Sequence, residues 1–133
     1  MAPVVNCDLG AVVEKARLPA ATEFTFMVRK AELGPAKNIN KNTGKIEDRI
    51  ACEVFPLDAG WEDRIVYQNW SLSPRALESD SPTFSIKKFF TVVGFNVGPQ
   101  WSTEDLLTIK FVATVKYKEG DNRPQLDKVL RGA

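Results

Sequence analysis

Hydrophobic alternation in this chain begins at Thr22. Phe24, Phe26 and Val28 alternate with Thr25, Met27 and Arg29, which predicts a half-buried strand. The strand is expected to end near Leu33, because Gly34-Pro35 cannot continue a ladder. A second alternation lies within Ile46–Pro56, with Ile50, Cys52 and Val54 against Arg49, Ala51, Glu53 and Phe55. Pro56 closes it. The turn that follows carries Trp61, placed to plug one end of the core. A third run, Arg64 to Leu72, is rich in β-branched and aromatic residues. Val66, Gln68 and Trp70 fall on one of its faces, and Ile65, Tyr67 and Asn69 on the other. Each face offers a ring beside a planar amide, and Ser73-Pro74 then gives a helix-start signal.

The period changes after Pro74. Ser79-Asp80-Ser81-Pro82-Thr83 supplies residues that favour a helix start. Phe84, Ile86, Phe89, Phe90 and Val93 then form an apolar stripe at helical spacing, with Lys87 and Lys88 facing out and Gly94 as the stop. Period two returns over Leu107–Lys118, where Ile109, Phe111, Ala113, Val115 and Tyr117 alternate with a lysine-rich face of Lys110, Lys116 and Lys118. Glu119–Pro124 reads as a turn, and Gln125–Leu130 as a short last strand pairing back. Residues 1–21 show no sustained period and read as an extension, in which Leu9–Arg17 could form a short helix.

The predicted fold class is therefore all-β. Five strands with one helix between strands 3 and 4 is the layout of an OB-fold barrel, here with an N-terminal extension (residues 1–21) and a domain spanning residues 22–133. Folds of this class bind through the middle strands and through the loops joining strands 1 and 2 and strands 4 and 5. Those loops are Gly34–Lys45, with Lys37, Lys41 and Lys45, and Glu119–Pro124, with Arg123.

Composition narrows the function more by exclusion than by assignment. The 133 residues suffice for one domain with a self-sufficient core. A net charge of +1 gives the whole molecule little pull on polyanions, so any such affinity depends on where the cations sit. The chain has no histidine, which removes the usual zinc ligand and the ordinary serine or cysteine triads. No glycine-rich phosphate loop is present. Asp58, Glu62, Asp63, Glu104 and Asp105 read as solvated turn residues rather than metal ligands, and the expectation is no enzyme, no metal and no cofactor. Cys7 and Cys52 lack a C-x-x-C spacing and read as free thiols. No apolar run is long enough for a bilayer and no export signal is evident, so a cytoplasmic protein with no membrane partner is expected.

The run Arg64-Ile65-Val66-Tyr67-Gln68-Asn69-Trp70-Ser71-Leu72 resembles a strand of small phage-encoded proteins, in which an arginine precedes a hydrophobic-aromatic pair, an Asn-aromatic step and a leucine. In that group a helix and a late Ala-x-Val segment with a following glycine come next; here these are Ala113, Val115 and Gly120, then Asn122 and Val129. Arg29-Lys30-Ala31-Glu32 is similar to the group's first strand, and the resemblance extends from Phe24 to Leu130. The family is regarded as OB-fold single-stranded DNA-binding or recombination-associated proteins. The resemblance implies DNA replication or recombination in an infected host's cytoplasm, with single-stranded DNA and replication or recombination proteins as partners. A homodimer is a candidate assembly. Bacterial single-stranded DNA-binding proteins end in an acidic partner-recruiting tail and this sequence does not: either that function is absent or the tail has been trimmed, which puts recruitment of that kind in doubt.

Sequence-tolerant binding of a single strand needs rings for the bases and cations for the phosphates. The candidate rings are Phe55, Trp61, Tyr67 and Trp70, and the candidate cations are Arg29, Lys37, Lys41, Lys45, Arg49, Arg64, Lys116, Lys118 and Arg123. Tyr67 and Trp70 lie on opposite faces, so only one of them can meet a base, and Trp70 is expected to be the outer ring. The alternative reading is a small phage adaptor or host-takeover protein that binds another protein through the barrel.

Overall fold

The computed structural model describes residues 17–35 and 47–133, together with Val4 and Gly44. Five strands form one antiparallel sheet: β1 (Phe24–Pro35), β2 (Asp48–Pro56), β3 (Val66–Ser71), β4 (Lys110–Lys116) and β5 (Gln125–Gly132). Their order across the sheet is β3-β2-β1-β4-β5. The sheet is open: β3 and β5 are its edges and lie near each other, but no ladder joins them. The all-β expectation holds at this level. The loop with Lys37, Lys41 and Lys45 lies outside the described residues, as do Cys7 and most of the segment read as a possible N-terminal helix.

One helix was expected between β3 and β4, and the segment contains more. Ser73 caps a single turn, α1 (Pro74–Leu77), by accepting from the Ala76 N–H, with Pro74 at the position where its missing donor costs nothing. The main helix is α2 (Ile86–Val93), capped by Ser85, whose hydroxyl oxygen accepts from the Lys88 N–H and whose O–H donates to the Leu77 carbonyl. The cap thus falls after the Ser79–Thr83 cluster. Phe84 precedes the cap, leaves the apolar stripe and is 66% exposed. Gly94 ends α2 in the left-handed region at φ 75°, a conformation that favours glycine. A 3-10 turn (Thr103–Leu106) follows, closed by reciprocal bonds between Ser102 and Asp105, so β4 starts three residues later than the period suggests.

The core forms where α2 packs on the inner face of the sheet. Phe26 and Phe111 stack at 5.7 Å, Phe89 meets Phe111 edge-on at 5.1 Å, and Trp70 lies 4.8 Å from Phe89. Trp61 packs edge-on against Phe24 at 5.9 Å, the end-plug role expected of it. Leu18 is also a core residue at 1% exposure, held where the Tyr117 hydroxyl donates to its carbonyl at 2.6 Å. The core therefore starts before the expected boundary at Thr22. Near its other end, Gly132 passes so close to α2 that a Cβ there would sit 2.3 Å from the Val93 carbonyl oxygen.

Two departures from simple alternation shape the outer face. A bulge between Val28 and Lys30 shifts the register of β1 against β2, so Arg29 and Lys30 are both exposed and Ala31 turns back to the core. In β4, Val112 and Thr114 are buried along with Phe111, Ala113 and Val115, so the lysine-rich face survives only at the strand ends. β4 is an interior strand, and its outward residues are paired in register with the long side chains of Arg131 and Lys128.

The loop entering β4 is clamped to β1 at the bulge. The Thr108 N–H donates to the Val28 carbonyl, and the Val28 N–H to Ile109. Thr108 holds φ 71°, where a β-branched side chain is strained. Thr108→Gly is expected to raise stability by about 0.5–1 kcal/mol, because relief of that strain outweighs the extra backbone entropy of glycine. Thermal unfolding should then move up by a few degrees. Among the described residues no helix is long and apolar enough to cross a membrane.

Candidate nucleic-acid interface

The register of β1, β2 and β3 builds the outer face row by row. Ser71 stands opposite Arg49, and Arg49 opposite Gly34. In the next row Asn69 faces Ala51, which faces Glu32; in the next, Tyr67 faces Glu53, which faces Lys30. Beyond the bulge, Phe55 pairs with Met27 and Met27 with Lys110. A shallow depression of about 190 Å³ sits in the middle of this face, lined by Lys30, Glu32, Ala51, Cys52, Glu53, Tyr67 and Asn69.

The outer ring is Tyr67, at 62% exposure, and this corrects the expectation for Trp70. Trp70 is fully buried between the sheet and α2, and its indole N–H donates to the Pro82 carbonyl at 2.9 Å. Gln68, on the same inner face, donates to the Thr83 carbonyl at 2.7 Å. These two bonds anchor the segment leading into α2. Trp70 is thus unavailable to a base, and the paired Gln68 amide is likewise structural.

The remaining candidates divide into three groups. Arg49, Phe55, Tyr67 and Arg29 share the β1–β2–β3 region, where the Arg29 guanidinium lies 5.8 Å over the Phe55 ring. Arg64 is engaged in the turn before β3, paired with Asp63 and 5.6 Å over Trp61. Lys116, Lys118 and Arg123 belong to the β4–β5 hairpin end. Phe24 pairs with Ala113 while Pro35 pairs with Asp48, so this hairpin end and the β1–β2 loop leave from opposite ends of β1. Lys116 approaches Asp127 at 4.0 Å, and Arg123 holds Asp121 through two side-chain bonds of 3.2 Å. Those bonds from Arg123 pull the Asp121 carboxyl below its ordinary pKa, and Asp121 in turn raises Arg123. The turn is locally neutralised, so it presents less net positive charge than its number of cations suggests.

Asn69, Lys30, Glu53 and Lys110 line or flank the face and were not among the sequence candidates. Asn69 could have been found, since it alternates with Tyr67. Lys30 and Glu53 meet only because of the bulge, which no periodicity marks. Among the described residues, no three Cys, Asp or Glu side chains are grouped as a metal site.

Cys52 is a free thiol on the inner side of β2, beneath the depression. Burial pushes it from its ordinary 9.0 up to about 12. Between those values the unfolded chain has lost the thiol proton and the folded chain keeps it, so stability falls as pH rises through this window. The expected slope from this one group is about 1.4 kcal/mol per pH unit. Urea unfolding from pH 8 to 11 should show a shallower decline in Cys52→Ala than in the parent protein, and equal slopes would refute the assignment.

A second hollow, about 670 Å³ and largely apolar, runs beside α2 and is lined in part by Leu72, Leu77, Phe90, Phe95, Val97 and Trp101. No family model, curated protein or solved structure matches this chain.

Proposed function

We propose that the outer face of β1, β2 and β3 is a sheet surface for flat, charged polymers, and that the protein is a nucleic-acid-binding module. More particularly, the reading is a single-stranded DNA-binding protein of phage replication or recombination, acting in the host cytoplasm without chemistry of its own. The sheet order supports an OB-type barrel left open at the β3–β5 seam, with α2 packed on the inner face. The carrying observation is Tyr67, 62% exposed on the outer face of β3 and without a ring contact among the described residues. An exposed ring on such a face suits the stacking of bases, the use aromatic side chains serve on single-strand-binding surfaces. Arg29, Lys30 and Arg49 stand on the same face for the phosphates.

Fluorescence anisotropy with a labelled oligo-dT, titrated with salt, tests this reading. Binding should weaken as salt rises, with a log–log slope of roughly −0.7 per phosphate contact. Absence of binding at low salt would overturn it. The alternative, an adaptor binding another protein, would need an apolar surface such as the hollow beside α2, but nothing in the fold says what would cover it.

A further inference from the structure

We infer that the depression beside Tyr67 reads one base by its edge and favours cytosine or adenine over thymine. This rests on the single-strand reading above and adds a base preference to it.

Tyr67 supplies the stacking plane. Two groups flank its ring: Glu53, directly across the strand gap, and Asn69, two residues along β3 on the same face. Opposed residues on adjacent strands stand about 4.5–5.5 Å apart at Cβ and diagonal ones about 7–8 Å, so a base lying on Tyr67 presents its edge to both. The volume of about 190 Å³ is in scale with one base, below the roughly 300–1,000 Å³ of drug-sized sites. Ala51, between Asn69 and Glu32 in register, leaves the floor low enough for the ring to enter.

The polar groups are available. Lys30 faces Glu53 in register, but its ammonium is paired with Glu32 at 3.3 Å. Among the described residues neither the Glu53 carboxylate nor the Asn69 amide has a side-chain hydrogen-bond partner. A carboxylate offers acceptors and no donor, whereas an amide offers both. Cytosine and adenine each carry an exocyclic amino group beside a ring nitrogen that accepts. Glu53 can accept from the amino group while the Asn69 amide donates to the ring nitrogen. Thymine places a carbonyl oxygen where the amino group would be, and two acceptors then face each other.

The test compares oligo-dC with oligo-dT of equal length, by competition anisotropy at one salt concentration, for the parent protein and for Glu53→Gln. The expected result is tighter binding of oligo-dC by about fivefold or more, in line with one edge contact. In Glu53→Gln, whose amide can donate to thymine, the ratio should fall towards one while thermal unfolding stays unchanged. Equal affinities, or a preference for oligo-dT, in a parent protein that binds both would overturn the base preference and leave the single-strand reading standing. A preference that persists in Glu53→Gln would overturn the role of Glu53. Failure to bind either oligonucleotide at low salt would overturn both readings.

Discussion

Trp70→Ala is expected to destabilise the protein by about 3–5 kcal/mol, the cost of emptying a large aromatic site in a packed core. Trp70 has 0% exposure and lies 4.8 Å from Phe89, which in turn meets Phe111 at 5.1 Å. Removing the indole therefore opens the contact between the sheet and α2. It also leaves the Pro82 carbonyl without the indole N–H that now satisfies it at 2.9 Å. Against a typical total stability of about 5–15 kcal/mol, such a loss puts the variant near the edge of folding. Trp70→Phe separates the two contributions, since it keeps most of the ring and loses the donor, at an expected cost of about 1–3 kcal/mol. Urea unfolding measures both. If Trp70 instead met DNA, Trp70→Ala would lower oligonucleotide affinity with little change in the urea midpoint, the reverse of what burial predicts.

Trp70 shows what alternation can and cannot decide. Period two sorted β3 correctly into Val66, Gln68 and Trp70 against Tyr67 and Asn69. It could not say which set faces in, because each carries a ring and an amide. The decision comes from partners distant in sequence: the rings of Phe89 and Phe111, and the carbonyls of Pro82 and Thr83 placed to receive the indole and Gln68 donors. Phe84 fails for a related reason. It fits the helical spacing of the stripe, yet the Ser85 hydroxyl accepts from the Lys88 N–H and so starts the helix at Ile86, two residues beyond Phe84. A cap is a local hydrogen bond, and here it outranks the period.

Elements whose signals agree at several levels were legible. Alternation and turn residues together located β1, β2 and β3, and Gly94 marked the end of α2. But β1 runs past the expected stop at Leu33: Gly34 and Pro35 stay in the ladder, in register with Arg49 and Asp48, at the strand's end where a missing N–H is tolerated. The site was legible only in part. Arg29, Arg49, Phe55 and Tyr67 do share one region of the sheet, but the bulge that brings Lys30 opposite Glu53 has no signature beyond two adjacent cations in a strand otherwise alternating. Lys116, Lys118 and Arg123 were grouped with them as cations, yet register carries the β4–β5 hairpin past the other end of β1 and pairs two of the three with Asp127 and Asp121. Counting basic residues in sequence overstates a groove when acids near in space neutralise them.

Tyr67→Ala should separate from Trp70→Ala in the opposite direction. With its ring 62% exposed on a strand face, truncation leaves no cavity, and the urea midpoint should shift little. Single-strand affinity should drop by about 1–3 kcal/mol, the worth of one base–aromatic stack. At 1.4 kcal/mol per decade this is roughly a 5- to 150-fold rise in Kd. Tyr67→Phe should retain most of the affinity, because stacking uses the ring rather than the hydroxyl, and Tyr67→Leu should recover less despite its similar bulk. The salt slope distinguishes stacking from charge: it should be the same in Tyr67→Ala as in the parent, since no phosphate contact is removed, and should flatten in Arg49→Ala, where one is. A Tyr67→Ala variant that is folded and binds oligo-dT as tightly as the parent would show that the exposed ring serves something other than a base.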